Sequence, residues 1–124
     1  MKLLADSSIW IDHIRQPNEQ LALALRRGMI VTHPFVIGEV AMGSISRRAE
    51  LLVALHQLRQ VIRANDSEVL ELIERRCLFG SGIGLVDAHL LAAAMLTPET
   101  YLWTRDRRLR EAAERLEIAG VPGP

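Results

Sequence analysis

The chain has one cysteine, one lysine, no net charge and no long apolar run, and each shortage closes off a class of protein. A lone Cys77 excludes an intrachain disulfide framework and a cysteine-based zinc site, and it suits a reducing compartment. Fifteen Lys and Arg balance fifteen Asp and Glu, so there is no global basic field of the kind that marks many nucleic-acid binders. The apolar run in MKLLADSSIW is short and is broken by Asp6, unlike a signal peptide. No stretch reaches the roughly 20 apolar residues of a membrane span. These shortages predict a soluble, cytoplasmic protein with no membrane role.

Lys2 is the only lysine, so the positive charge is almost all Arg. Arg forks grip phosphate or carboxylate in two places at once, which hints at a phosphate-rich or acidic partner. A genome rich in G and C produces the same bias and is the stronger explanation. At 124 residues, 49% of them hydrophobic, the chain predicts one domain over 1–124 with a real core.

Short apolar strands alternate with helices along the chain. Lys2 to Ala5 reads as a buried strand ending at Asp6, and Ser7 or Ser8 is positioned to cap the helix SIWIDHIR. Asn18 caps a second helix that Gly28 stops. Met29 to Thr32 reads as a strand. Pro34 opens and Gly43 closes the helix of HPFVIGEVAMG. Ser46 is read as opening a helix that buries Leu51, Leu52, Leu55 and Leu58. Gln60 to Arg63 is a strand candidate. Asn65 and Glu68 form a capping box for a helix reaching about Leu78, with Leu70, Ile73 and Cys77 on one face. FGSGIG, Phe79 to Gly84, is a loop before the Ala-rich helix that ends ahead of Pro98. Tyr101 to Trp103 is a strand, Arg107 to Leu116 a helix with Leu109, Ala112, Ala113 and Leu116 inward, and Glu117 to Val121 a last strand candidate. The alternation implies an α/β fold with a parallel sheet covered on both faces.

Four acids stand out against this pattern. Asp87 sits inside the apolar helix GLVDAHLLAAAML, where Asp is a weak helix former and a buried charge is costly unless paired or bound to metal. Asp6 and Asp106 lie at strand ends, where open α/β sheets bind ligands. Glu39 lies between Val36 and Val40. Four converging carboxylates repel one another and burial raises their pKa values; a divalent cation relieves both. Hard oxygen ligands favour Mg²⁺ or Mn²⁺ over zinc, and such a metal can orient water for in-line attack on a phosphodiester.

Each acid also has a plain structural reading. Asp6 and Asp106 are good helix caps, and Glu39 could pair with an Arg. Ser7 and Thr104, beside the acids, are candidates to hydrogen-bond a ligand, water or carboxylate, although such residues more often satisfy local backbone. His89, two residues past Asp87, points away from it and reads as surface or partner-facing. Arg105, Arg107, Arg108 and Arg110 flank Asp106 and suit an RNA backbone, an acidic partner or a solvated face. FGSGIG lacks the Lys-Ser/Thr of a P-loop and follows a helix. Trp10, Ile14, Leu21 and Leu25 exceed what one small core needs, which leaves two readings of equal weight: some form a partner groove or dimer surface, or all are core.

The set DSSIWIDHIR, HPFVIGEVAMG, GIGLVDAHLLAAA and LWTRDRRLREAAE resembles the PIN-domain toxins of the VapC type over essentially the whole chain. The resemblance implies a three-layer α/β/α PIN-like fold with a central parallel sheet. It implies a Mg²⁺- or Mn²⁺-dependent endoribonuclease acting on structured RNA, often tRNA or ribosomal RNA. It implies a toxin held by a cognate VapB-type antitoxin, a homodimer, a heterotetramer or larger complex with the antitoxin, and promoter DNA reached only through the antitoxin. Residue by residue, Asp6, Glu39, Asp87 and Asp106 match the family's four acids, and Thr104 matches the hydroxyl residue before the last. Some members carry a further acid after the fourth; Arg107, Arg108 and Leu109 occupy that region here. The rival from another class is a PIN-fold module that has lost activity and works by binding its antitoxin. A metal-dependent phosphatase would want a second acid two residues after Asp6, where Ser8 stands.

Overall fold

The apolar run near the N-terminus offers water no polar face, and it becomes the central strand. The computed structural model describes residues 1–123. Strand β1 (Lys2–Ala5) is flanked by β2 (Ile30–Val31) and β3 (Thr100–Trp103) in the order β2-β1-β3, all parallel. Leu3, Leu4 and Ala5 are fully buried. Burial of each Leu of that pair contributes about 1.5–3 kcal/mol.

Seven helices among the described residues surround the sheet: α1 (Ser7–Arg15), α2 (Glu19–Arg26), α3 (Pro34–Met42), α4 (Arg48–His56), α5 (Asp66–Arg75), α6 (Leu85–Leu96) and α7 (Arg107–Arg115). Helices α1, α3 and α4 pack in series; α5 packs on α6, which lies with α7 against β3. Helix α6 is buried from Ala88 through Ala94, and its alanines let its neighbours approach on several sides. The result is the α/β architecture with a parallel sheet that the alternating pattern predicts.

The local signals hold where a side chain can be assigned a job. Asn18 and Asn65 cap α2 and α5, the latter in a two-way capping box with Glu68. Pro34 lies at the start of α3 and Gly43 caps its end.

Other expectations are corrected. Neither Gln60–Arg63 nor Glu117–Val121 forms a strand. Each contributes one parallel bridge, Thr32 with Gln60 and Leu102 with Ala119, extending the sheet at its two edges. The Ile62 N–H turns away to Thr97 Oγ1 at 2.9 Å, so pairing stops. Helix α4 starts at Arg48, not Ser46; Arg47 precedes it in the left-handed region and no side chain caps it. Helix α5 ends at Arg75, and its buried residue is Val69; Leu70 and Cys77 are exposed. Cys77, at φ +52°, cannot continue a helix. Trp10 and Leu21 belong to the core, at 2% and 0% exposure.

Candidate active site

Because β1 is central, the chain leaves it towards β2 on one side and returns as β3 on the other. The carboxyl ends of β1 and β3 therefore meet at a topological switch point, the usual ligand position in an open α/β sheet. Ala5 pairs with Trp103, and the Asp6 N–H donates to the Trp103 carbonyl at 3.1 Å. The next residues of both strands, Asp6 and Thr104, thus emerge side by side.

Asp6 is 5% exposed and meets donors on both oxygens. Its Oδ1 accepts from the Ser8 N–H at 3.0 Å, the Ile9 N–H at 3.4 Å and the Ser8 hydroxyl. Its Oδ2 accepts from the Thr104 hydroxyl. Asp6, rather than Ser7 or Ser8, is therefore the cap of α1. Burial raises its pKa, and the hydroxyl and amide donors oppose that rise.

Two relays support this carboxylate from β3. The Asp106 N–H donates to Thr104 Oγ1 at 3.0 Å, and the Arg105 N–H donates to Ser8 Oγ at 3.0 Å. Each hydroxyl accepts from backbone and donates to Asp6, which fixes the direction of both O–H bonds. Asp106 itself caps α7, its Oδ1 accepting from the Leu109 N–H at 3.1 Å. The capping reading of Asp6 and Asp106 is thus correct as far as it goes. It leaves Asp6 Oδ2 with acceptor capacity beyond its one bond.

Helices α3 and α6 supply the other two acids. Glu39 Oε1 accepts from the Ser7 hydroxyl at 3.2 Å, tying α3 to the start of α1. Asp87, in the first turn of α6, accepts from the Gly84 N–H at 3.4 Å. Glu39 is exposed and Asp87 half-buried, and the desolvation of their carboxyls by neighbouring groups is the first cause of their raised pKa values. The next causes reveal the arrangement: the charges of Asp87 and Asp6 raise Glu39, and those of Asp106 and Asp6 raise Asp87. Asp6 and Asp87 thus lie within reach of Glu39's charge, and Asp6 and Asp106 within reach of Asp87's.

They are not drawn up as a closed cage. Among the described residues no three His, Cys, Asp or Glu side chains stand close enough to hold one metal ion as placed. Like charges repel, and each carboxyl is engaged by its own local donor, namely Ser8 with Thr104, Ser7, Gly84 and Leu109. The donor set still has the chemistry of a hard-cation site, since all four groups are carboxylates whose crowding is unfavourable without positive charge.

The PIN-domain family model matches residues 3–115, from β1 through the last helix. The chain belongs to the PIN-domain family, VapC type. It is 41% identical over 117 residues to the protein named Ribonuclease VapC32 of Mycobacterium tuberculosis, in strains CDC 1551 / Oshkosh and ATCC 25618 / H37Rv; the alignment covers 94% of each chain.

In this PIN domain, sequence reasoning overlooks Ser8 as a supporting group of the acid cluster. The spacing Asp6-Ser7-Ser8 carries the signal, because a hydroxyl two residues after a capping Asp is placed to bond it. His89 is corrected from surface to interior: it is 7% exposed, edge-on to the Phe35 ring at 5.0 Å. Of the Arg group, Arg105 pairs with Asp12 at 2.8 Å and Arg107 approaches Glu111 at 3.8 Å.

Proposed function

We propose that the chain is the toxin of a type II toxin–antitoxin pair, an endoribonuclease that cuts structured cellular RNA such as tRNA or ribosomal RNA. The observation that carries this reading is the meeting of four acids, each coupled to another, at the carboxyl ends of β1 and β3 in a VapC-type chain. The relative's name supports the reaction class.

Asp6, Asp87 and Asp106 are the main ligands for Mg²⁺, which Mn²⁺ can replace, and Glu39 completes the set. When bound, the cation supplies charge neutralisation at a phosphoryl oxygen and a water of lowered pKa. Ser8 and Thr104 preset the orientation of Asp6, so less ordering is needed when ligands assemble. Glu39, steadied by Ser7, is the group for receiving a proton from attacking water, and its raised pKa improves that match.

A VapB-type antitoxin is the expected partner, with a homodimeric toxin and a heterotetramer or larger complex in which the antitoxin alone contacts promoter DNA. No helix among the described residues is long and apolar enough to cross a membrane; the proposed site of action is the cytoplasm.

The test is incubation of total bacterial RNA with antitoxin-free protein, in Mg²⁺ and in EDTA, beside Asp87→Asn. Discrete fragments that require both metal and Asp87 are expected. Cleavage that persists in EDTA or in the variant overturns the assignment.

A further inference from the structure

The loop Phe79–Gly84, which leads into the helix bearing Asp87, has two features that the acid cluster does not explain. The first is apolar. Phe79 and Leu85 are 62% and 60% exposed, although Phe79 is one of only five Phe, Trp and Tyr residues in the chain. They overhang a recess of about 210 Å³ whose other walls include Ile73, Leu78, Ile83 and Ala88. Gly84, which also borders it, is the residue whose N–H holds the Asp87 carboxylate. The recess therefore adjoins the acid cluster around the N-terminus of α6.

The second feature is cationic. Arg108, two residues past Asp106, crosses the loop at Gly82. A β-carbon on Gly82 would lie 2.6 Å from Arg108 Nη1 and 2.8 Å from its Cδ, and Gly82 has φ +87°. Any side chain there would meet the guanidinium and strain the backbone. Among the described residues Arg108 has no carboxylate partner, unlike Arg105 and Arg107. An unpaired guanidinium and an exposed aromatic thus flank one loop beside the carboxylates.

We propose that this loop and Arg108 form a nucleotide subsite, in which one unpaired base of the RNA stacks on Phe79 over the recess and Arg108 binds a neighbouring phosphate. The proposal rests on the ribonuclease reading. The charge pattern selects the occupant. An apolar peptide segment would fill the recess but leave the guanidinium unmatched, whereas a nucleotide presents a π-face and an anion together. Stacking accepts any base, so the subsite favours single-stranded or looped RNA over duplex without dictating sequence.

The experiment measures binding, by fluorescence anisotropy in EDTA, of a short labelled single-stranded oligoribonucleotide and of its duplex to the full chain and its variants. Phe79→Ala should weaken single-strand binding roughly 5- to 100-fold, the range for one lost base–aromatic stack, and leave duplex binding unchanged. Phe79→Tyr, which keeps the ring, should bind within about twofold of the parent. Arg108→Ala should weaken binding and lower the slope of log affinity against log salt by about 0.7. Normal single-strand binding by Phe79→Ala, an equal loss on duplex, or no change with Arg108→Ala overturns the subsite. If Asp87→Asn still abolishes cleavage in those cases, the ribonuclease reading survives. A parent chain that neither binds nor cuts RNA overturns both.

Discussion

Neighbouring strands of this sheet end on buried polar groups of opposite design. At the end of β1, Asp6 collects donors on both oxygens, and further carboxylates stand within reach of its charge. At the end of β2, His33 is 1% exposed and caps α3, its Nδ1 accepting from the Phe35 N–H at 2.9 Å. An accepting Nδ1 requires the neutral ring with its proton on Nε2, and that atom has no partner. Burial, helped by the charges of Arg63 and His89, lowers the His33 pKa to about 4. The β2 end is built to stay neutral; the β1 end crowds negative charge and surrounds it with hydroxyls. Helix capping explains both Asp6 and His33. Capping also explains Asp106 and engages Asp87, but it does not explain why these acids and Glu39 feel one another's charge at one of the two ends, and the proposed site rests on that excess.

Removing a carboxylate from the acid end should give the largest effect. Asp87→Asn or Asp6→Asn should lower RNA cleavage on the order of 10²–10³-fold or more, as for loss of a preorganised electrostatic group, with the circular dichroism spectrum unchanged. The metal-free Asp87→Asn variant should melt no lower than the parent, because a repelling charge has gone, whereas Asp6→Asn also loses an acceptor for the Thr104 or Ser8 donors and should melt lower. A variant that keeps its cleavage rate erases the distinction between the two strand ends.

Thr104→Val tests the hydroxyl support alone. It leaves Asp6 Oδ2 without its donor, and Mn²⁺ affinity should fall about 10- to 100-fold, the usual cost of losing a group that orients a metal ligand. Stability should fall by about 1–3 kcal/mol in urea unfolding. Unaltered metal affinity would make Thr104 a purely structural residue.

The two ends should also titrate in opposite senses. Raised carboxyl pKa values mean that folded, metal-free protein holds protons the unfolded chain has released. Their contribution therefore favours folding at low pH and is lost as pH rises from the ordinary carboxylate range through the raised values. His33 acts the other way. Between pH 6.5 and about 4 the unfolded chain binds a proton that the folded ring does not, so its contribution declines as pH falls through that window. Urea midpoints across pH should show His33→Gln losing the acid-side decline and Asp87→Asn losing part of the carboxylate slope. Identical pH profiles for parent and both variants would contradict the contrast.

The smallest effect should come from Cys77→Ser. Cys77 is exposed and remote in design from either end, so stability should change by no more than about 0.5 kcal/mol in thermal melts.

Asp87 stood out in the sequence because it offends its surroundings: among Leu85, Val86, Leu90 and Leu91 it has no apolar reason to be there, whereas Asp6 and Asp106 read equally well as the caps they are. Asn18, Pro34 and Asn65 were legible because capping is local chemistry. The misplaced start of α4 and end of α5 are local failures, and the others are tertiary. Gln60 and Ala119 belong to the sheet through one bridge each, which no periodicity of a short run records. His89 is interior because Phe35, far away in sequence, lies against it. Ser8 matters because Arg105 donates to it across 97 positions of chain. The apolar pattern could not divide Trp10 between core and partner groove, since a buried face and a docking face look alike until the packing is known.

The most direct test of the account is a calorimetric titration of the antitoxin-free protein with Mn²⁺, run beside Asp87→Asn. The account predicts saturable binding by the parent, stronger as pH rises and protons leave the carboxyls, and its loss in the variant. Equal binding by both proteins, or none by a folded parent chain, would contradict the claim that these four acids form one metal site.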